Sequence, residues 1–259
     1  MDVEIALPLG FIALVVILVI YSRIIGPRRR IQRFKKEMAA QGWQEYSPHQ
    51  VPEWPAFEKV AVEGIRGRER HLEYEEKRGF RREQVKKDEK RTATVQALVC
   101  SFPGTNTRLA ACATVTTAEK ESRRGLILIG KSFHWHTSRE LWWGESRPLP
   151  VQENTLLYSW FSRMGGDFFK KMAADRGVPL DRVIPELGSP GENDGFEILR
   201  PVFEQHQAML DAVKPQIVVG PGVWVLTASL ENAIKHLGAL EKFTTDLSDG
   251  LTGLTVDPG

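Results

Sequence analysis

The chain opens on an uncharged apolar run. Ile5 to Ser22 reads IALPLGFIALVVILVIYS, eighteen residues without a charge. As a helix these rise about 27 Å, close to the hydrocarbon thickness of a bilayer. Arg23 can snorkel to the headgroups, so Ile24 and Ile25 extend the span. Pro8 falls in the first turn, where its missing N–H costs little, and Tyr21 stands where an interfacial aromatic belongs. The pattern predicts a transmembrane anchor over residues 1–27, with its membrane helix at about 5–25.

Beyond Gly26-Pro27, expected to end that helix, RRRIQRFKKEMAAQG places Ile31, Phe34 and Met38 at helical spacing before Gly42. This predicts a basic juxtamembrane helix over 28–42. From Trp43 to Pro150 the rhythm is that of strands: Lys59 to Ile65, Arg70 to Glu75, Thr92 to Phe102, Arg108 to Thr116 and Gly125 to Gly130. The stretch EKRGFRREQVKKDEKR, residues 76–91, is too charged to be buried and predicts a long exposed hairpin. After Pro150, Leu156, Leu157, Trp160, Phe161, Met164 and Phe168 recur at threes and fours. Pro201 then opens a helix reaching about Val213, and IVVGPGVWVLT reads as a tight hairpin. Ser229 is placed to cap a last helix through Leu247. The expected fold is α+β in one cytoplasmic unit over 43–247, strand-rich at 43–150 and helix-rich at 151–247, with a loose tail at 248–259. Strands first and helices later argue against βαβ winding.

Charge gives this layout a direction. Arg23, Arg28, Arg29, Arg30, Arg33, Lys35 and Lys36 all follow the apolar run, whereas Asp2 and Glu4 precede it. That is the reverse of a secretory signal, and the positive-inside bias puts the basic side in the cytoplasm. The expected location is the cell membrane, single-pass. Arg28, Arg29, Arg30, Arg33, Lys35 and Lys36 are candidate contacts to an anionic inner leaflet. Residues 1–150 hold 26 basic and 18 acidic side chains, and residues 151–259 hold 9 and 15. A nucleic-acid binder would not be divided so, and no nucleic-acid partner is expected. Cys100 and Cys112 are the only cysteines and no Asn-x-Ser/Thr sequon occurs, as suits a reduced compartment.

Candidate chemistry is thin. Gly125 to Ser132, GLILIGKS, satisfies the letters of a phosphate-binding loop, with Gly130, Lys131 and Ser132 as its nucleotide contacts. Yet Leu-Ile-Leu-Ile is a strand sequence and FHWHTSREL a poor helix opening. His134 and His136 fall on one side of a strand without a third ligand nearby, so no metal is expected. Trp135 and Trp160 are expected in the core, whereas Trp142 and Trp143, between polar residues in an expected loop, are candidate contacts for a partner protein. No catalytic residue and no cofactor is assigned. Cys100 and Cys112, on adjacent expected strands, are read as buried thiols.

The order of parts resembles that of bacterial single-pass membrane proteins, common in actinobacteria, in which a membrane helix and basic flank precede a Gly-Trp strand and an α+β domain of unknown function. The matching pieces are the anchor with RRRIQRFKKE, then QGWQEYSP, RHLEYEE and ATVQALVCSFPG, and finally FEILRPVFEQHQAMLDAV with VVGPGVWVLT. The resemblance covers about two thirds of the chain, departs from it at Phe133 to Phe169, and implies topology and fold class only. The functional expectation is a non-enzymatic, membrane-tethered binding or scaffold protein, meeting another membrane or cytoplasmic protein. The alternative is a membrane-bound nucleotide-dependent or hydrolytic enzyme using Gly125–Ser132.

Overall fold

A computed structural model describes residues 21, 25–63, 68–78, 81–102, 104–125, 129–149, 155–159 and 199–252. Helix α1 (Gly26–Ala40) begins at the Gly-Pro pair and does not stop there, because Pro27 sits in the first turn, where no N–H is needed. It ends at a turn in which Gly42 takes φ +87°, a left-handed conformation open to glycine. Strand β1 (Gln44–Tyr46), a short 3-10 turn (Pro48–Gln50) and helix α2 (Trp54–Glu63) follow. The expected strand from Lys59 is thus the second half of a helix, because Trp54, Phe57, Val60 and Ala61 recur at helical period and are buried together.

Three long strands come next in sequence: β3 (Arg81–Ser101), β4 (Thr107–Arg124) and β5 (Ile129–Ser146), preceded by β2 (Glu69–Arg78). Strand β6 (Thr155–Ser159) replaces the start of an expected helix; the rest of that helix, Trp160 included, lies outside the described residues. The chain returns through α3 (Arg200–Gln205), α4 (Gln207–Val213), β7 (Gln216–Gly220), β8 (Val223–Ser229), α5 (Leu230–Ala233) and α6 (Leu237–Thr252). Two expected helices are therefore each divided in two, at His206 and at residues 234–236, and Ser229 makes no side-chain cap. The tail expected to be loose from Ser248 continues α6, where Ser248 and Leu251 are buried.

All strands join one antiparallel sheet in the order β1-β3-β4-β5-β8-β7-β6, with β2 alongside the outer part of β3. The fold is α+β, and strands from both halves of the chain share that sheet. The β7–β8 hairpin turns at Gly222, φ +70°, as its sequence predicts. Gly144 permits a close strand approach, since a Cβ there would stand 2.0 Å from the Trp224 carbonyl oxygen.

Helices cover both faces of the inner part of the sheet. On one, the α1 face, Phe34 and Met38 pack with Trp43, Cys112, Trp143 and Trp224 and with Leu240, Phe243 and Leu247 of α6. On the other, the α2 face, Trp54, Phe57 and Val60 pack with Leu98, Cys100, Leu109 and Trp142. The two cysteines therefore point into opposite cores and cannot pair. Burial pushes both thiols up to about 12. Among the described residues no helix is long and apolar enough to cross a membrane; the expected span at 5–25 lies almost wholly outside them.

Candidate binding surface on a four-stranded arm

The covering helices stop short of the ends of β3, β4 and β5. Past Arg91, Thr116 and Glu140 these strands continue with β2 as a four-stranded arm. Its register sets His71 against Asp88, Asp88 against Lys120, and Lys120 against Phe133. At the base of the arm is a buried polar knot on the α2 face. Arg91 gives two hydrogen bonds to the Glu140 carboxylate, at 2.9 and 3.0 Å, and a third to the Val62 carbonyl at 3.2 Å. Trp142 Nε1 and Ser138 Oγ also donate to Glu140, at 2.8 and 3.0 Å.

The two faces of the arm differ. Opposed residues share a face, so the register assigns every side chain. On the α2 side, Lys87 lies 2.5 Å from Glu119 and 3.4 Å from Glu121, and Arg123 bonds Glu121 and reaches Glu76 at 2.6 Å. These pairs roof Val85, which is buried, and shelter Tyr74, whose hydroxyl burial pushes upward. Burial alone would raise the Glu121 carboxyl, but the hydrogen bond and charge of Arg123 and the charge of Lys87 together hold it below 4.5. Lys87 and Arg123 on this face are thus paired across the strands.

The α1 side is open. Three cross-strand pairs, Glu69–Lys90, Glu73–Lys86 and His71–Asp88, use part of its charge. Lys77, Arg82, Lys120, Arg124 and Lys131 stand exposed outside those pairs, with Glu75 the acid among them. Beside them Phe133 is 58% and Trp135 74% exposed, their rings 5.7 Å apart edge to face.

Several expected site residues are relocated. Trp142 and Trp143 lie in β5 with 0% exposure, Trp142 stacked 6.3 Å from Trp54 and Trp143 meeting Trp43 edge-on at 5.3 Å. They hold the two cores and present nothing to a partner; Trp135, expected in the core, is the exposed ring. The signal was in the alternation. On the α1 side β5 reads Lys131, Phe133, Trp135, Thr137, Arg139, two aromatics in a polar row, whereas Leu141-Trp142-Trp143 is consecutively apolar and so buried on both faces. Gly130, Lys131 and Ser132 are extended and registered with Arg123, Ser122 and Glu121. That backbone cannot curl around a phosphate. His134 and His136 share the α2 side and are exposed. Among the described residues no group of His, Cys, Asp or Glu is arranged to hold a metal.

The basic helix is partly engaged. Arg30 bonds Glu231 at 3.0 Å, Arg33 bonds Glu37 at 2.6 Å, and Lys35 pairs with Glu45, while Arg28, Arg29 and Lys36 are exposed. Elsewhere buried polar groups serve the fold. His206 Nε2 meets Asp246 at 2.6 Å, tying the α3–α4 bend to α6, and Ser248 donates to Glu145. Thr107 donates to Glu53 at 3.0 Å. Comparison of the chain with family models, with curated proteins and with solved structures finds no match.

Proposed function

We propose that this is a membrane-tethered, non-enzymatic binding or scaffold module, in which an anchor at about residues 5–25 holds the α+β domain on the cytoplasmic side and the arm is the element that makes contact. The observation that carries the reading is the exposure of Phe133 and Trp135 on a strand whose other aromatics are fully buried. Two large rings left in water on an ordered sheet contribute little to folding and have the composition of a binding anchor. The buried acids and histidine serve structural pairs, which supports binding over chemistry. A tether favours binding by raising the local concentration of other membrane components.

The test is photo-crosslinking in intact membranes from the full chain, with the probe at Trp135 and, as control, at His134 on the opposite side. Adducts from position 135 well above those from 134 are expected; equal, background-level labelling at both would overturn the reading. Topology is tested separately with cysteine probes beside Ser22 and Gly259. An impermeant reagent should leave both unlabelled in intact cells and reach the Gly259 probe only after the membrane is opened; labelling of the Gly259 probe in intact cells would place the domain on the other side.

A further inference from the structure

Resting on that reading, we infer that the α1 face of the arm is a lipid-contact surface, docking on the anionic headgroups of the membrane that holds the anchor. Three observations converge. First, α1 and the open side of the arm belong to the same face of the sheet. The N-terminus of α1 points toward the arm: Trp43, just past its C-terminal end, packs on Trp143, whereas Pro27, Arg28 and Ile31 border a cleft with Thr114 and Arg139, at the arm's base. The chain expected to enter the membrane thus leaves the domain where the arm begins. From Arg139, Trp135 is about 13 Å further out along the strand.

Second, the charge fits. The open side carries Lys77, Arg82, Lys120, Arg124 and Lys131 outside its cross-strand pairs, with exposed Arg28 and Arg29 nearby on α1. On the opposite side Lys87, Arg91 and Arg123 are paired with Glu119, Glu140, and Glu76 and Glu121. The exposed cations of the open side suit phosphate-bearing headgroups. Third, aromatics and cations are interleaved. Trp135 and Phe133 lie between Lys131 and Arg139 on this side, and a Trp in the headgroup zone with cations reaching phosphate is the usual composition of a membrane interface.

The experiment uses the full chain in proteoliposomes, with Trp135→Cys or, as opposite-side control, His134→Cys carrying an environment-sensitive fluorophore. Cys100 and Cys112 are buried, so labelling selects the introduced thiol. Nitroxide-bearing phosphatidylcholine is the quencher. In phosphatidylcholine–phosphatidylglycerol vesicles, position 135 should shift to the blue and be quenched, and position 134 should not. Added salt or Lys120→Gln with Lys131→Gln should remove about half the quenching or more. Equal quenching in pure phosphatidylcholine, or none at 135 in either lipid, overturns the inference. Protein-only crosslinks from position 135 would overturn it while leaving the binding-module reading intact, whereas no adduct of any kind would sink both.

Discussion

Strand β5 is sealed at Trp142 and Trp143, one ring in each helix-covered core, yet at Trp135 its ring is 74% exposed. The inner part of the sheet and the arm share these strands and one continuous ladder, but the physics differs. Inside, consecutive apolar residues such as Leu109 to Ala113 are buried on both faces, and packing dominates. In the arm, stability comes from the ladder and from charge pairs roofing Val85, each weak in water. The arm thus adds little to folding stability, in contrast to the packed inner strands.

The inner sheet depends most on its buried tryptophans. Trp142→Ala or Trp143→Ala should cost about 3–5 kcal/mol in chemical denaturation, through lost burial and an unfilled cavity. A cost under about 1 kcal/mol would mean that the cores do not depend on them. Arg91→Met should cost about 3 kcal/mol by stranding Glu140 beside Trp142, and the double variant Arg91→Met, Glu140→Met should recover much of that loss. Recovery failing in the double variant would shift the knot's role from charge pairing to shape.

The arm's closed face should be acid-sensitive. The Glu121 carboxyl is held below 4.5 in the folded chain, so its contribution is complete above the unfolded-state value and is lost as pH falls through the lower folded value. Hydrogen exchange of β3 and β4 arm amides should accelerate below about pH 4.5 before that of the inner strands, and Glu121→Gln should blunt the response. Simultaneous acceleration in both regions would show that arm and inner sheet open as one unit. A smaller effect is expected at the thiols. Cys100 and Cys112, pushed up to about 12, should react with thiol reagents at neutral pH at no more than the rate of global unfolding.

Much of this division is legible in the sequence. The charged hairpin, the strands from Thr92 and Arg108, the Gly42 stop and the β7–β8 turn follow from local pattern. What escaped has specific causes. Trp54 to Glu63 carries Val60 and Val62, whose β-branched side chains suggest a strand, while the helical spacing of Trp54, Phe57 and Val60 decides the outcome through burial. Polar neighbours suggest a loop at Trp142-Trp143, whereas the flanking Glu140 and Glu145 are themselves partnered and largely buried, which leaves both rings in the core. Which residues share the arm's open face depends on a register among four strands, and no local window contains that.

The most direct test of arm against inner sheet is one double variant, Phe133→Ser with Trp135→Ser, measured for both unfolding free energy and crosslinking in membranes from a probe at Lys131. Stability within about 0.5 kcal/mol of the parent together with lost crosslinking is the predicted result. A stability loss well above about 1 kcal/mol with crosslinking intact would make the two rings part of the fold and would contradict a binding arm.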